Sequence, residues 1–316
     1  MTGRGERGVA LILALLILTL LVALILEFDA EARREYRDAA AFRDHVKVNA
    51  LTRAGVQAAR AVLLQDHRIE KLTNQRFDAL TDIWALPITG YQLGDGALSA
   101  RIEDETGKLN LNELANVQDP KQRESKLKRL KRLFELLQVR LDLAEAIADW
   151  VDADDVPEPN GAESAYYQTL RPPYMAANAP LQTLSELYLI KGMTKEIVQR
   201  LEPYVTVHPQ NSAGGMVNLN TASPIVIQAL DPRITPGMAA EIVQGRPYHS
   251  PQDLDKIGNF EPIAKELRVL QAYAVTSNLF SARIGITVNE TTRTAYAVLR
   301  RDEIKGDSSV VSFRVE

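Results

Sequence analysis

The sequence predicts an α+β protein: a long N-terminal helix that crosses a membrane, a small antiparallel sheet, and a large α-helical domain inserted in that sheet. Three observations carry this reading. Val9 to Leu26 is an unbroken apolar run; segments of alternating polarity lie before residue 108 and after residue 278; and the interval between them contains an internal repeat.

The first run is free of charge, and Thr19 is its single polar residue. As a helix it spans roughly 27 Å, close to the thickness of a bilayer core. Arg4 and Arg7 precede it, while Glu27, Asp29 and Glu31 follow. The positive-inside bias therefore puts the N-terminus in the cytoplasm and the bulk of the chain across the membrane. A cleaved signal peptide is the competing reading, with Ala30-Glu31-Ala32 as its small-x-small site. The run exceeds the usual apolar region of about 7–15 residues, however. No Gly or Pro interrupts the chain from Val9 to Ala54, and Phe42, Val46, Ala50, Ala54, Ala58 and Val62 recur at the helical period. One continuous helix over about residues 9–65 follows.

Composition narrows the function classes. The 316 residues suffice for one large or two ordinary domains, and a formal net charge of −4 gives no general attraction to nucleic acid or to an anionic membrane. With no cysteine there is no disulfide, thiolate metal site or cysteine nucleophile, and the 4 histidines are scattered.

The stretch ALSARIEDE, from about Gly96 to Asp104, reads as a strand. FSARIGITVNETTRTAYAVLRRD reads as a hairpin turning at Asn289–Thr292, and VVSFRV as a last strand. Residues 28–107 and 279–316 then form a core that brackets a helical domain at 108–278.

That domain repeats itself. Lys108-Leu109-Asn110-Leu111-Asn112 returns as Met216-Val217-Asn218-Leu219-Asn220, each introducing a helix with Asn112 or Thr221 as candidate N-cap. LDLAEAIADWV and GMAAEIVQGR are the next helices, and turns at Gly192 and Gly258 lead to helices ending in Tyr204-Val205-Thr206 and Tyr273-Ala274-Val275-Thr276. Two helix-hairpin-helix (SAM-like) units account for this. Such units often grip nucleic-acid backbones, which makes a membrane-anchored DNA-binding protein of an uptake machinery the rival reading. Residues 108–278 hold 18 Lys plus Arg against 21 Asp plus Glu, and Glu196 and Glu261 stand at the hairpins, so phosphate is opposed. No nucleic acid is expected. In KQRESKLKRLKRLFELLQVRL, Leu127, Leu130, Leu133, Leu137 and Leu141 share one face, and Lys126, Lys128, Arg129, Lys131 and Arg132 form a solvated basic face.

One insertion in the first copy has no counterpart in the second: DWVDADDVPEPNGAESAYYQTLRPPYMAANAPLQTL. It offers Asp149, Asp152, Asp154, Asp155, Glu158, Asn160 and Glu163 among Pro157, Pro159 and Gly161. So dense a set of hard oxygen ligands suits calcium better than zinc, and a solvated acidic loop is the equal alternative. The spacing is not an EF-hand, because Val156 and Pro157 fall where that loop needs a ligand and a glycine. No nucleophile elbow, triad or paired-carboxylate cleft appears, so an enzyme is not expected.

The first helix, with Gly8 directly before its apolar run, resembles the type IV pilins and pseudopilins. Adding GKLNLN, AIADWVDADDVPEPNGAESAYY, LQTLSELYLIKGM and VNLNTA extends the resemblance over essentially the whole chain to the general secretion pathway protein K family, the large minor pseudopilins of type II secretion systems. The resemblance implies a pilin-like helix with an eight-residue leader, removed by a prepilin peptidase between Gly8 and Val9, with N-methylation at Val9. It also implies an inner-membrane anchor, and a place at the pseudopilus tip with the minor pseudopilins GspI and GspJ above the major pseudopilin filament. Calcium in the helical domain is implied too, with Asp152, Asp154, Asp155, Glu158, Asn160 and Glu163 as candidate ligands. One departure bears on assembly: the fifth mature position, Glu in most pilin-like subunits, is Leu13.

Overall fold

The computed structural model describes residues 5–115, 117, 119–208, 215–302 and 306–316, with side chains from Val9 onward. Residues 1–4 of the expected leader, Arg4 included, lie outside them.

Helix α1 runs from Gly5 to Thr73, eight residues beyond the C-terminal end the apolar period suggests. Its apolar N-terminal span is wholly exposed, long and apolar enough to cross a membrane. Further along, Val48, Thr52, Val56, Ala59 and Leu63 are buried at spacings of three and four, which marks one helical face. That face lies on an antiparallel sheet whose strands, in spatial order, are β1 (Ile88–Leu93), β2 (Gly96–Asp104), β7 (Leu279–Val288), β8 (Thr291–Asp302) and β9 (Asp307–Val315).

The alternation in β7 sends Phe280, Ala282, Ile284, Ile286 and Val288 toward α1, where they meet Leu98, Ile102 and Trp84. Gly55 permits the close approach, since a Cβ there would stand 2.7 Å from Ile284 Cγ2. The β7–β8 turn is tighter than the sequence suggests. Asn289 takes it at φ 53°, and Thr291 and Thr292 already belong to β8.

Strands β2 and β7 are neighbours, with Asp104 opposite Phe280, although the helical region separates them in sequence. That region comprises β3 (Leu109–Asn110), α2 (Pro120–Leu136), α3 (Asp142–Val151), α4 (Ser164–Tyr167), α5 (Lys195–Leu201), β4 (Val205–Thr206), β5 (Val217–Asn218), α6 (Pro224–Ala229), α7 (Pro236–Gln244), α8 (Glu261–Val269) and β6 (Tyr273–Ala274). The repeat is literal in its hydrogen bonds. β3 pairs in parallel with β4, and β5 with β6. Asn112 accepts from Leu181 N at 2.7 Å and donates to Leu181 O and Val207 O. Asn220 likewise accepts from Tyr248 N at 2.8 Å and donates to Tyr248 O and Val275 O. These asparagines tie each copy's first segment to its later ones, so the caps fall elsewhere: Asn110 accepts from Asn112 N, and Ser223 from Val226 N.

The basic face of α2 is solvated at Lys128, which is exposed and pairs with Glu124 one turn earlier on the same helix, and differs from the expected surface at two other positions. Arg129 is buried against Glu113, and Lys131 pairs with Glu145. Burial of Leu130, Leu133 and Phe134 brings Arg129 and Lys131 against these neighbouring acids.

Helical region and sheet meet at the far end of α1. Arg301 on β8 pairs with Asp78 and Asp66, Ser277 Oγ donates to Asp104 at 2.6 Å, and Asn218 Nδ2 donates to Asp78 O at 3.0 Å.

Candidate metal centre

Helix α3 is buried from Leu143 to Val151, as Ala144, Ala146, Ala148, Ile147 and Trp150 allow. Glu145, Asp149 and Asp152 follow at spacings of four and three, which sets three carboxylates on one side facing the acidic loop. Each has a distinct task. Glu145 Oε2 accepts from Asn160 N at 2.8 Å and Nδ2 at 2.9 Å. Asp149, fully buried, accepts from Glu158 N at 3.1 Å. Gly161 is required beside it, because a Cβ there would stand 1.8 Å from Asp149 Oδ2. Lys191 donates to Gly161 O at 2.8 Å and closes the loop from the hairpin side.

In this frame one carboxylate oxygen from each of Asp152, Asp154 and Glu163 lies within 4.8 Å of the others. Glu163 is 5% exposed and Asp152 7%. Both oxygens of Glu163, and Oδ1 of Asp152, have no hydrogen-bond partner among the described residues. Burial and then the charges of Asp149 and Asp152 push the Glu163 carboxyl up to about 8. Burial raises Asp149 to about 6, and it raises Asp152 as well. Buried carboxylate oxygens facing one another without donors must hold protons or a cation. The donor set is all oxygen, which fits a hard divalent ion such as calcium and offers no soft ligand for zinc.

The other three expected ligands are engaged elsewhere. Asp155 Oδ1 accepts from Asn178 Nδ2 at 3.0 Å, Glu158 pairs with Arg123, and Asn160 is held by Glu145. Sequence reasoning missed Arg123, Glu145 and Asn178 as partners. The spacing of Glu145, Asp149 and Asp152 is the one signal that points to any of them.

A second acidic cluster sharpens the contrast. Carboxylate oxygens of Asp66, Asp78 and Asp82 also approach within 4.8 Å of one another. There Arg301 supplies the positive charge, at 2.6 Å from Asp78 and 3.3 Å from Asp66.

An exposed apolar helix end, a helix laid over an antiparallel sheet, and a helical body between neighbouring strands together fit a single-pass membrane-anchored pseudopilin. Models of the type II secretion system protein K family match residues 107–210 and 217–276. The chain is 30% identical over 305 residues to type II secretion system protein K of Pseudomonas aeruginosa, covering 94% of this chain and 90% of that one. It is 33% identical over 253 residues to that of Klebsiella pneumoniae, covering 76% and 75%. The fold is similar to a chain in the crystal structure of the GspK–GspI–GspJ complex of the enterotoxigenic Escherichia coli type 2 secretion system, with TM-score 0.75 and 22% identity. That match covers 88% of this chain and 99% of the solved one. The chain belongs to the type II secretion system protein K family, the large minor pseudopilins.

Proposed function

We propose that this chain acts by assembly: placed at the pseudopilus tip, it helps to initiate pseudopilus assembly for export of folded proteins from the periplasm across the outer membrane. One observation carries the reading. The helical body joins the rest of the chain around Asp78, Asn218 and Ser277, beyond the end of α1 that lies farthest from the apolar span. Bulk in that position obstructs a further subunit above it.

In this reading the apolar span of α1 sits in the inner membrane with the N-terminus in the cytoplasm, and the remainder is periplasmic. The prepilin peptidase cuts between Gly8 and Val9, and Val9 becomes the N-methylated first residue. The partners are GspI-type and GspJ-type minor pseudopilins and the major pseudopilin filament, supported by the composition of the complex that contains the solved relative. Membership of the protein K family favours this over a DNA-binding uptake protein.

Asp152, Asp154 and Glu163 would hold calcium, while Asp149, Glu145 and Arg123 shape the loop around them. Bound, the ion would supply the positive charge that three facing carboxylates need. The chain's own residues then fix the loop against α3 and present it as a rigid surface of the helical body.

The assembly reading is tested by tagging the full chain and isolating pseudopili. Label at one end, with two smaller pilin-like subunits co-purifying, is the expected result. Label distributed along the filaments would sink it.

A further inference from the structure

At the edge of the three converging carboxylates, the acidic loop already holds a cation supplied by the chain. Arg123, in the first turn of α2, places Nη2 on Asp152 Oδ2 and Nη1 on Glu158 Oε1. Its side chain is 24% exposed. Asp152 is therefore divided: Arg123 takes Oδ2, while Oδ1 is buried and has no hydrogen-bond partner among the described residues. Glu158 is drawn toward Arg123, although its backbone N–H remains on Asp149.

The Arg301 cluster shows what a guanidinium does when it sits inside such a group. Arg301 binds Asp66 and Asp78, two of the three clustered acids, and lies over the Phe280 ring. Arg123 instead touches only Asp152 of its three and stands at the edge. Asp154 and Glu163 are left to another cation.

We propose that Arg123 is a tethered counter-ion of the acidic loop, holding its shape before calcium binds and keeping calcium affinity down by competing for Asp152 and Glu158. The inference rests on the calcium reading above. A unit positive charge one carboxylate away from a divalent ion repels it by about tenfold in affinity, even in water-like surroundings at a separation of roughly 6 Å. Arg123→Gln removes that repulsion and returns two carboxylate oxygens to the ion. It also leaves Asp152 and Glu158 without a counter-charge, so the metal-free protein loses stability. The two effects have opposite signs. A guanidinium that merely braced the loop would, once removed, weaken both folding and calcium binding.

The full chain in detergent micelles is titrated with calcium chloride by calorimetry and by tryptophan fluorescence. Trp150, buried between Asp149 and Val151, is the local reporter. Thermal melts with a chelator read the metal-free state. The expected result for R123Q is a lower melting temperature without calcium and calcium binding about tenfold tighter. R123K keeps the charge and is expected to bind calcium within a small factor of the unsubstituted chain; it decides the matter if R123Q does not melt cooperatively. Weaker calcium binding in R123Q, or equal tightening in R123K, overturns this inference alone. No calcium response in the unsubstituted chain overturns the metal reading and this inference with it.

Discussion

Arg301 Nη2 stands 2.6 Å from both carboxylate oxygens of Asp78, with the arginine 1% exposed and the aspartate fully buried. The pair joins β8 to the segment that follows α1, and the same nitrogen donates to Ser277 O where the chain re-enters the sheet. Removing Arg301 strands Asp78 in a site closed to water, whereas removing Asp78 leaves the guanidinium its longer contacts to Asp66 and Glu70. Arg301→Met is expected to cost about 3–5 kcal/mol, Asp78→Asn less, and the double variant less than the sum because the second change relieves the stranded charge. Thermal unfolding of the three variants checks this. Additive losses would show that the two side chains act independently.

Glu163 gives the protein a pH dependence of stability with a definite sign. Its folded-state value, about 8, lies above the ordinary 4.5, so the folded state binds the proton more tightly than the unfolded one. The resulting stabilisation is complete below the ordinary value and is lost as pH rises toward 8. Asp149, raised to about 6, acts in the same direction over a lower range. Without calcium the melting temperature should therefore fall across this interval. Calcium must displace these protons, so its stabilising shift should be small at the acidic end and grow toward the alkaline end. Melts at several pH values, with calcium and with chelator, measure both trends. Glu163→Gln should flatten the metal-free trend and largely abolish the calcium shift; a calcium shift independent of pH would count against Glu163 as a ligand.

How much of this was legible in the sequence depends on whether the cause is local. The uncharged run and the helical period of Phe42 to Val62 mark α1, because membrane burial and one-sided packing leave those patterns. β1 left none: five of its six residues are exposed, so ITGYQL shows no alternation, and pairing with β2 alone makes it a strand. In the acidic loop the concentration of carboxylates was visible, but not the three that converge. Arg123, Glu145 and Asn178 decide that by engaging Glu158, Asn160 and Asp155, and Arg123 lies well outside the loop in sequence. The paired asparagines of the two LN motifs showed the repeat, while their role as ties between segments required the return of the chain at Leu181 and Tyr248.

Gly161 makes the loop's geometry testable without touching a ligand. A methyl group there would overlap the Asp149 carboxylate, which is fully buried and anchored by Glu158 N. Gly161→Ala should therefore displace Asp149 and cost about 1–3 kcal/mol, in the range of overpacking. Calcium affinity should fall as well, because Glu163 lies two residues further on. Calorimetry and melts report the two losses. A variant with normal calcium binding would show that the loop adapts around the added carbon.

Leu13 carries the assembly argument into the membrane. It lies in the apolar span of α1, at the fifth position after the proposed cleavage site. A carboxylate at that depth is costly unless a positive group meets it. In a filament the N-terminal amine of a neighbouring subunit can do so. A subunit at the tip has no neighbour above, so an unpaired carboxylate has only its cost there, and leucine is the residue that position favours. Leu13→Glu is expected to reduce recovery of the chain in the membrane fraction or its incorporation with partner pseudopilins, and so to lower secretion. Leu13→Ala should be tolerated, because it keeps the segment apolar. Fractionation, co-purification and a secretion assay on the two variants test the point. Full secretion with Leu13→Glu would mean that the site tolerates a carboxylate, and the cost of an unpaired charge would then not explain the leucine.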